Sequence, residues 1–196
     1  MTETRYHHGD LRAALLREAE AELAEKGVER FSLRGVAKRA GVSHAAPAHH
    51  FGDVAGLLTA LAAEGSRRFL ATQLKCEERA TTPQERLLES GVGYVEFALA
   101  NPALFRLMFG SKRADYADEE LSAASAAAFD HLVENVSAVT GASPTEDHAT
   151  RMAISRVWSQ VHGLADLLLS GSPRYVAELP AEERDAAIRE IIGGSS

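Results

Sequence analysis

Residues 32–51 read SLRGVAKRAGVSHAAPAHHF, and their reading decides the fold. Ser32 is a predicted N-cap for a short helix through about Arg39. Gly41 breaks that helix, because a residue without Cβ adopts the left-handed conformation of a tight turn at little cost. Ser43 is expected to cap a second short helix reaching His50. Ala37 permits close packing, and Val36 and Val42 point to a small core. Pro47 is tolerable near the start of a helix, where few N–H groups are bonded within it. Two short helices about a tight turn are the grammar of a helix-turn-helix. A plain helical hairpin is the bland reading, but turn, caps and charge agree on the motif. From Leu33 to His50 the chain carries Arg34, Lys38 and Arg39 and no acidic residue.

Outward from this segment the chain also reads as helix. A helix over about Gly9–Glu25 is predicted from Leu11, Leu15, Leu16, Ala19 and Leu23 on one face, with Gly27 ending it. Asp53 caps a fourth helix bearing Leu58, Leu61, Ala62, Gly65 and Phe69. Thr82-Pro83-Gln84-Glu85 reads as a capping box with proline at the first helical position. Asn101-Pro102 starts a helix through Phe109, and another spans about Ala117–Thr140. Ser143-Pro144-Thr145-Glu146 reads as a second capping box. It is expected to open a long helix with Ile154, Val157, Trp158, Val161, Leu164 and Leu168 on one side. Pro173 and Pro180 begin two last short helices, the final one carrying Ile188, Ile191 and Ile192.

Composition agrees. The 196 residues include 35 Ala and 22 Leu against 12 Val and 4 Ile, a balance that favours helix over strand. The fold class expected is all-α. A single cysteine, Cys76, excludes an intramolecular disulfide and any multi-cysteine metal site. No stretch is long and apolar enough to span a bilayer, and no secretory signal is recognisable, so a cytoplasmic protein is expected. The net charge of −7 argues against indiscriminate coating of nucleic acid and leaves room for a local basic surface. The deficit lies in residues 66–196, whereas residues 1–65 are nearly neutral and hold five of the eight histidines. The expected organisation is a small module over 1–52 followed by an acidic helical body over 53–196.

Chemistry motifs are missing. There is no Gly-rich phosphate loop, no H-E-x-x-H and no nucleophile elbow, so neither an enzyme nor a cofactor is expected. His7, His8 and Asp10, or His44 with His49 or His50, lack convincing metal-ligand spacing.

A helix-turn-helix lays its second helix in the major groove of DNA. At these residues the sequence resembles the TetR family of transcriptional repressors. The likeness runs in order from Leu11 to about Leu61, through FSLRGVAKRAGVS, a short helix ending HHF and a helix with an acidic cap. Val157-Trp158-Ser159-Gln160-Val161-His162-Gly163 resembles the Trp-His-Gly (WHG) signature of one class of family C-terminal domains. The resemblance implies a DNA-binding domain of three helices and a helical domain that binds a small-molecule effector and dimerises. Carried over by position, the DNA-binding residues are Ser32, Arg34, Ser43, His44, Ala45, Ala46, His49 and His50. Ala45 or Ala46 would meet a thymine methyl, His44 a purine acceptor, and His49 and His50 phosphate. Candidate effector-lining residues are Tyr94, Phe97, Phe105, Met108, Phe109, Phe129, Trp158 and His162, an apolar set with a few polar groups. Aromatic residues at helical spacing also serve as plain core. The long helix after Thr145 and the last helix are the expected dimer interface. The competing reading is a helical small-molecule-binding protein with weakened or lost DNA recognition.

That competing reading has two supports. The family commonly binds phosphate with an aromatic residue where this chain has Ala48, and with Lys where it has Val54. Each absent contact shallows the salt dependence of binding by roughly 0.9 log unit of affinity per log unit of salt. Binding is therefore expected to be weaker and less salt-dependent than is typical of the family, unless Arg34, His49 and His50 compensate. Nanomolar affinity at physiological salt, measured by titration of a labelled duplex, would contradict this.

Overall fold

The computed structural model describes residues 8–194, with side chains from Leu11 onward. Within them every regular element is helical. The order is α1 (His8–Lys26), α2 (Leu33–Ala40), α3 (Ala46–Phe51), α4 (Val54–Glu77), α5 (Pro83–Ala100), α6 (Pro102–Gly110), α7 (Glu119–Thr140), α8 (His148–Leu169), α9 (Arg174–Ala177) and α10 (Ala181–Gly193), with a 3-10 turn at Val28–Arg30. The all-α expectation holds. The chain forms two compact units. One takes residues up to Gly65 together with Ala103–Ala124, and the other takes Ser66–Pro102 and the chain from Ser125 on. The change falls at the middle of α4.

In the first unit α1 packs on α2, and α2 on α3. Leu15, Ala19 and Leu23 of α1 are buried with Phe31, Val36, Ala37, Leu57, Leu58 and Leu61. Each fully buried Leu or Phe contributes about 1.5–3 kcal/mol relative to exposure. The turn between α2 and α3 is as expected. Gly41 sits at φ 66° and ψ 29°, and the Val42 N–H donates to the Ala37 carbonyl at 3.1 Å. That bond closes the end of α2 as a Schellman motif. The Ser32 hydroxyl accepts the Gly35 N–H at 3.1 Å, so the predicted cap is present.

The start of α3 departs from the expectation. The helix begins at Ala46, and Ser43 does not cap it. A helix opened by Ser43 would need its first bond from the N–H of residue 47 to the Ser43 carbonyl. Residue 47 is proline and has no N–H. The Ser43 carbonyl accepts instead from Ala46 in a turn, at 3.0 Å, and the first helical bond runs from His49 to Ala45.

In the second unit α5 packs on α8 and α10. The capping box at Thr82–Glu85 forms with both of its reciprocal bonds. The second predicted box does not. Asp147 caps α8, accepting from Ala149 at 3.3 Å and from Thr150 at 2.7 Å. Ser143 heads a separate turn, its carbonyl accepting from Glu146 and Asp147. A carboxylate at a helix N-terminus also gains from the helix dipole, which a serine does not.

Gly35 faces α1 closely. The buried Glu22 carboxyl lies where a Cβ on Gly35 would stand. Gly35→Ala displaces only the flexible end of Glu22 and should lose about 1 kcal/mol, the low end of overpacking. Gly110→Ala, whose methyl would meet nothing within 4 Å, should be near neutral. Chemical denaturation of both variants checks this, and equal losses would contradict the packing account.

Candidate functional site

The first unit presents the sequence-predicted DNA-binding residues together, on α2, on α3 and in the turn between them. Arg34, Ser43, His44, Ala45 and His49 are exposed, while Ser32, Ala46 and His50 are half-buried. Pro47 is buried and fixes α3 on the core side. The Ser32 hydroxyl is occupied as a cap, so what it offers outward is backbone. His49 and His50 stand edge to face, 5.6 Å between ring centres.

The cations divide sharply. Arg39 is turned away toward α1, where its guanidinium binds Glu25 at 2.6 Å and lies 3.7 and 3.8 Å from Glu18 and Glu22. Its hydrogen bond to Glu25 raises its pKa above the ordinary arginine value. Arg34 and Lys38 stay exposed on α2. Lys38 was not among the residues singled out, although the acid-free run Leu33–His50 contained it. Arg12 was also missed. It lies 5.3 Å over the Phe51 ring at the end of α3 and 3.6 Å from Glu120 of α7. The periodicity of α1 marks a core face and gives no sign of such a contact.

The predicted effector residues separate. Phe105, Met108 and Phe109 belong to the first unit, with the Phe105 and Phe109 rings 4.8 Å apart. The others belong to the second. There the Tyr94 hydroxyl lies 2.7 Å from His162 Nδ1. Phe69 of α4 packs edge-on against Tyr94 and Phe97, at 4.8 and 5.3 Å. Phe97 is 1% exposed and serves as core. Burial pushes the Tyr94 hydroxyl well above its ordinary pKa, so it stays neutral. Phe129 and Trp158 meet edge to face at 5.9 Å, and at 45% and 42% exposure both rings are substantially open to solvent.

Two polar features of the second unit stand apart from that aromatic set. A cleft of about 440 Å³ is lined by Lys75, Cys76, Glu78, Arg79, Ala80, Glu85, Glu89 and Arg189. Burial pushes the Cys76 thiol up to about 11, which leaves it without nucleophilic thiolate at neutral pH. Elsewhere in this unit His131 Nε2 lies 2.6 Å from the Glu77 carboxylate, and the Asn135 amide donates to the same oxygen at 3.1 Å. Among the described residues no group of three or more His, Cys, Asp and Glu is placed to hold a metal ion. His7, and the side chains of His8 and Asp10, lie outside the described residues. No helix of the described residues is long and apolar enough to cross a membrane.

Burial pushes the Glu77 carboxyl up, but hydrogen bonds from His131, Ser90 and Asn135, with the charge of His131, outweigh it and hold it below the usual carboxylate range. A carboxyl lowered by folding adds stability above its unfolded pKa and loses it as pH falls through the folded value. His131→Ala should therefore raise the Glu77 carboxyl and start acid unfolding at higher pH. The fluorescence of Trp158 during an acid titration reads this out, and an unchanged acid midpoint would refute it.

Two family models match the sequence. Residues 15–61 match bacterial regulatory proteins of the tetR family, and residues 87–192 match the tetracyclin repressor-like C-terminal domain. The second span includes Trp158, His162 and Gly163. Among solved structures, a protein of unknown function from Rhodococcus sp. RHA1 is 36% identical with a TM-score of 0.77, the match covering 98% of each chain. A TetR-like transcriptional regulator from the same organism is 14% identical with a TM-score of 0.67, over 96% of this chain and 97% of that one. The regulator PfmR from Thermus thermophilus is 24% identical with a TM-score of 0.64, over 93% and 98%. The latter two speak for the fold alone. No curated protein matches the sequence.

Proposed function

The chain belongs to the tetR family of bacterial regulatory proteins, and from that premise we propose that it is a cytoplasmic, non-enzymatic repressor that a small molecule releases from operator DNA. The observation that carries the reading is the exposed face of α2, α3 and their turn. Arg34, Lys38, Ser43, His44, Ala45 and His49 stand there, exposed, while Arg39 is spent on α1. Arg34, His44, Ala45 and Ala46 meet base edges, and His49, His50 and the N-termini of the short helices meet phosphate. Residues 1–52 form the reading head, and residues 53–196 sense the effector and dimerise.

Dimerisation follows from DNA geometry, since two recognition helices must enter major grooves about 34 Å apart. The exposed side chains of Met152 and Leu167 on α8 and Ile191 on α10 suit a four-helix bundle about a two-fold axis. The effector is an apolar molecule with a hydrogen-bonding group, received beside Tyr94 and His162. It releases DNA by binding better to the dimer whose heads are wrongly spaced, and only that difference in affinity counts. The competing reading, a small-molecule binder that has lost DNA recognition, rests on Ala48 and Val54.

Arg34→Ala separates these possibilities. As a base contact, Arg34 should carry about 1–3 kcal/mol of discrimination. As a phosphate contact, its loss should shallow the salt slope by about 0.9 per protomer. Either change, measured by anisotropy on a duplex from upstream of the gene and on operators selected from genomic DNA, supports the repressor. A variant indistinguishable from wild type in affinity, preference and salt slope would remove Arg34 from the interface.

A further inference from the structure

We propose that DNA binding by this chain is coupled to proton uptake on His44, His49 and His50, so that the reading head grips operator more tightly as pH falls. The inference rests on the repressor reading and adds a regulatory input to the same surface.

The charge available to α3 is the starting point. Between Arg39 and Arg67 the sequence has no Lys or Arg. The recognition helix and both its flanking turns therefore lack any permanent cation of their own, and their only ionisable bases are these three histidines. From α2, Arg34 and Lys38 are exposed, whereas Arg39 is neutralised by Glu18, Glu22 and Glu25. From α1, Arg12 lies over Phe51 and shares its charge with Glu120 of α7. From the turn into α4, Asp53 accepts the Gly56 N–H at 2.9 Å as a helix cap.

Histidine is the side chain whose ordinary pKa puts its charge change between pH 5 and 8. Against DNA, an adjacent phosphate favours the imidazolium. Each contacting histidine thus holds its proton more tightly in the complex than in the free chain. Affinity then rises as pH falls through the range where that proton is taken up, by up to one log unit per pH unit for each proton. Each imidazolium seated on phosphate also steepens the salt slope by about 0.9. The other described histidines are placed elsewhere, His131 on Glu77 and His162 on Tyr94, and His148 opens α8.

The test is anisotropy titration of labelled duplex with the full-length dimer from about pH 6 to about pH 8 at fixed ionic strength. A selected operator and a random-sequence duplex are both used. Wild type should bind operator about tenfold or more tightly at the acid end, with a steeper salt slope there. In the triple variant His44→Gln, His49→Gln, His50→Gln the pH dependence should vanish. The double variant at the exposed His44 and His49 should reduce it, and serves if the half-buried His50 proves necessary for folding. Wild-type affinity that is flat with pH would overturn the proposal. So would a pH dependence that survives in the triple variant, which would move the proton to His7, His8 or the second unit. Binding that depends on pH without preference for operator over random duplex would support the coupling while sinking the repressor reading. Absence of binding to either duplex at every pH would sink both.

Discussion

The reading head depends on how closely α2 lies against α1. A Cβ on Gly35 would stand where the Glu22 carboxyl now lies. Arg39, one turn further along α2, closes over the same face of α1 through Glu25, Glu22 and Glu18. Around this contact the small core of Leu15, Ala19, Leu23, Val36 and Ala37 is sealed from water. With α2 fixed, the left-handed Gly41 sets the direction in which the chain leaves, and the missing donor of Pro47 sets where α3 begins. The placement of the recognition helix therefore follows from the packing of α2 on α1 and from two backbone constraints, one of them Pro47 in α3 itself.

The same contact has an electrostatic consequence. A cation used to hold α2 on α1 is lost to the outer surface, because an ion pair this short leaves little positive potential for a distant phosphate. What remains outward is Arg34 and Lys38 on α2 and imidazoles on α3. The head is thus lightly charged in a chain whose net charge is −7.

Local rules were readable where local atoms decide. The boundaries of α2, α5 and α6 follow from Ser32, from Thr82 with Glu85, and from Pro102, whose effects reach no further than one turn. Ser43 misled because the decisive atom is absent four residues downstream, at Pro47. Ser143 misled because Asp147, a stronger cap, competes for the same helix and Thr150 reinforces it with a 2.7 Å hydroxyl bond. The aromatic residues were legible as apolar and not as members of a place. Nothing in the spacing tells the buried Phe97 from the exposed Trp158, because burial depends on which helices meet. The Glu77–His131 pair lies 54 positions apart in sequence and leaves no local trace. The helix-turn-helix surface was readable because its residues are adjacent in the chain.

The most direct measurement is selection of the purified chain against a random duplex library, followed by affinity for the enriched sequence and for its scrambled counterpart at one stated salt concentration. A two-fold head predicts an inverted repeat with half-sites about 10 base pairs apart, bound about a thousandfold or more tightly than the scrambled duplex. Failure to enrich any sequence, with equal affinity for both duplexes, would contradict a sequence-reading regulator.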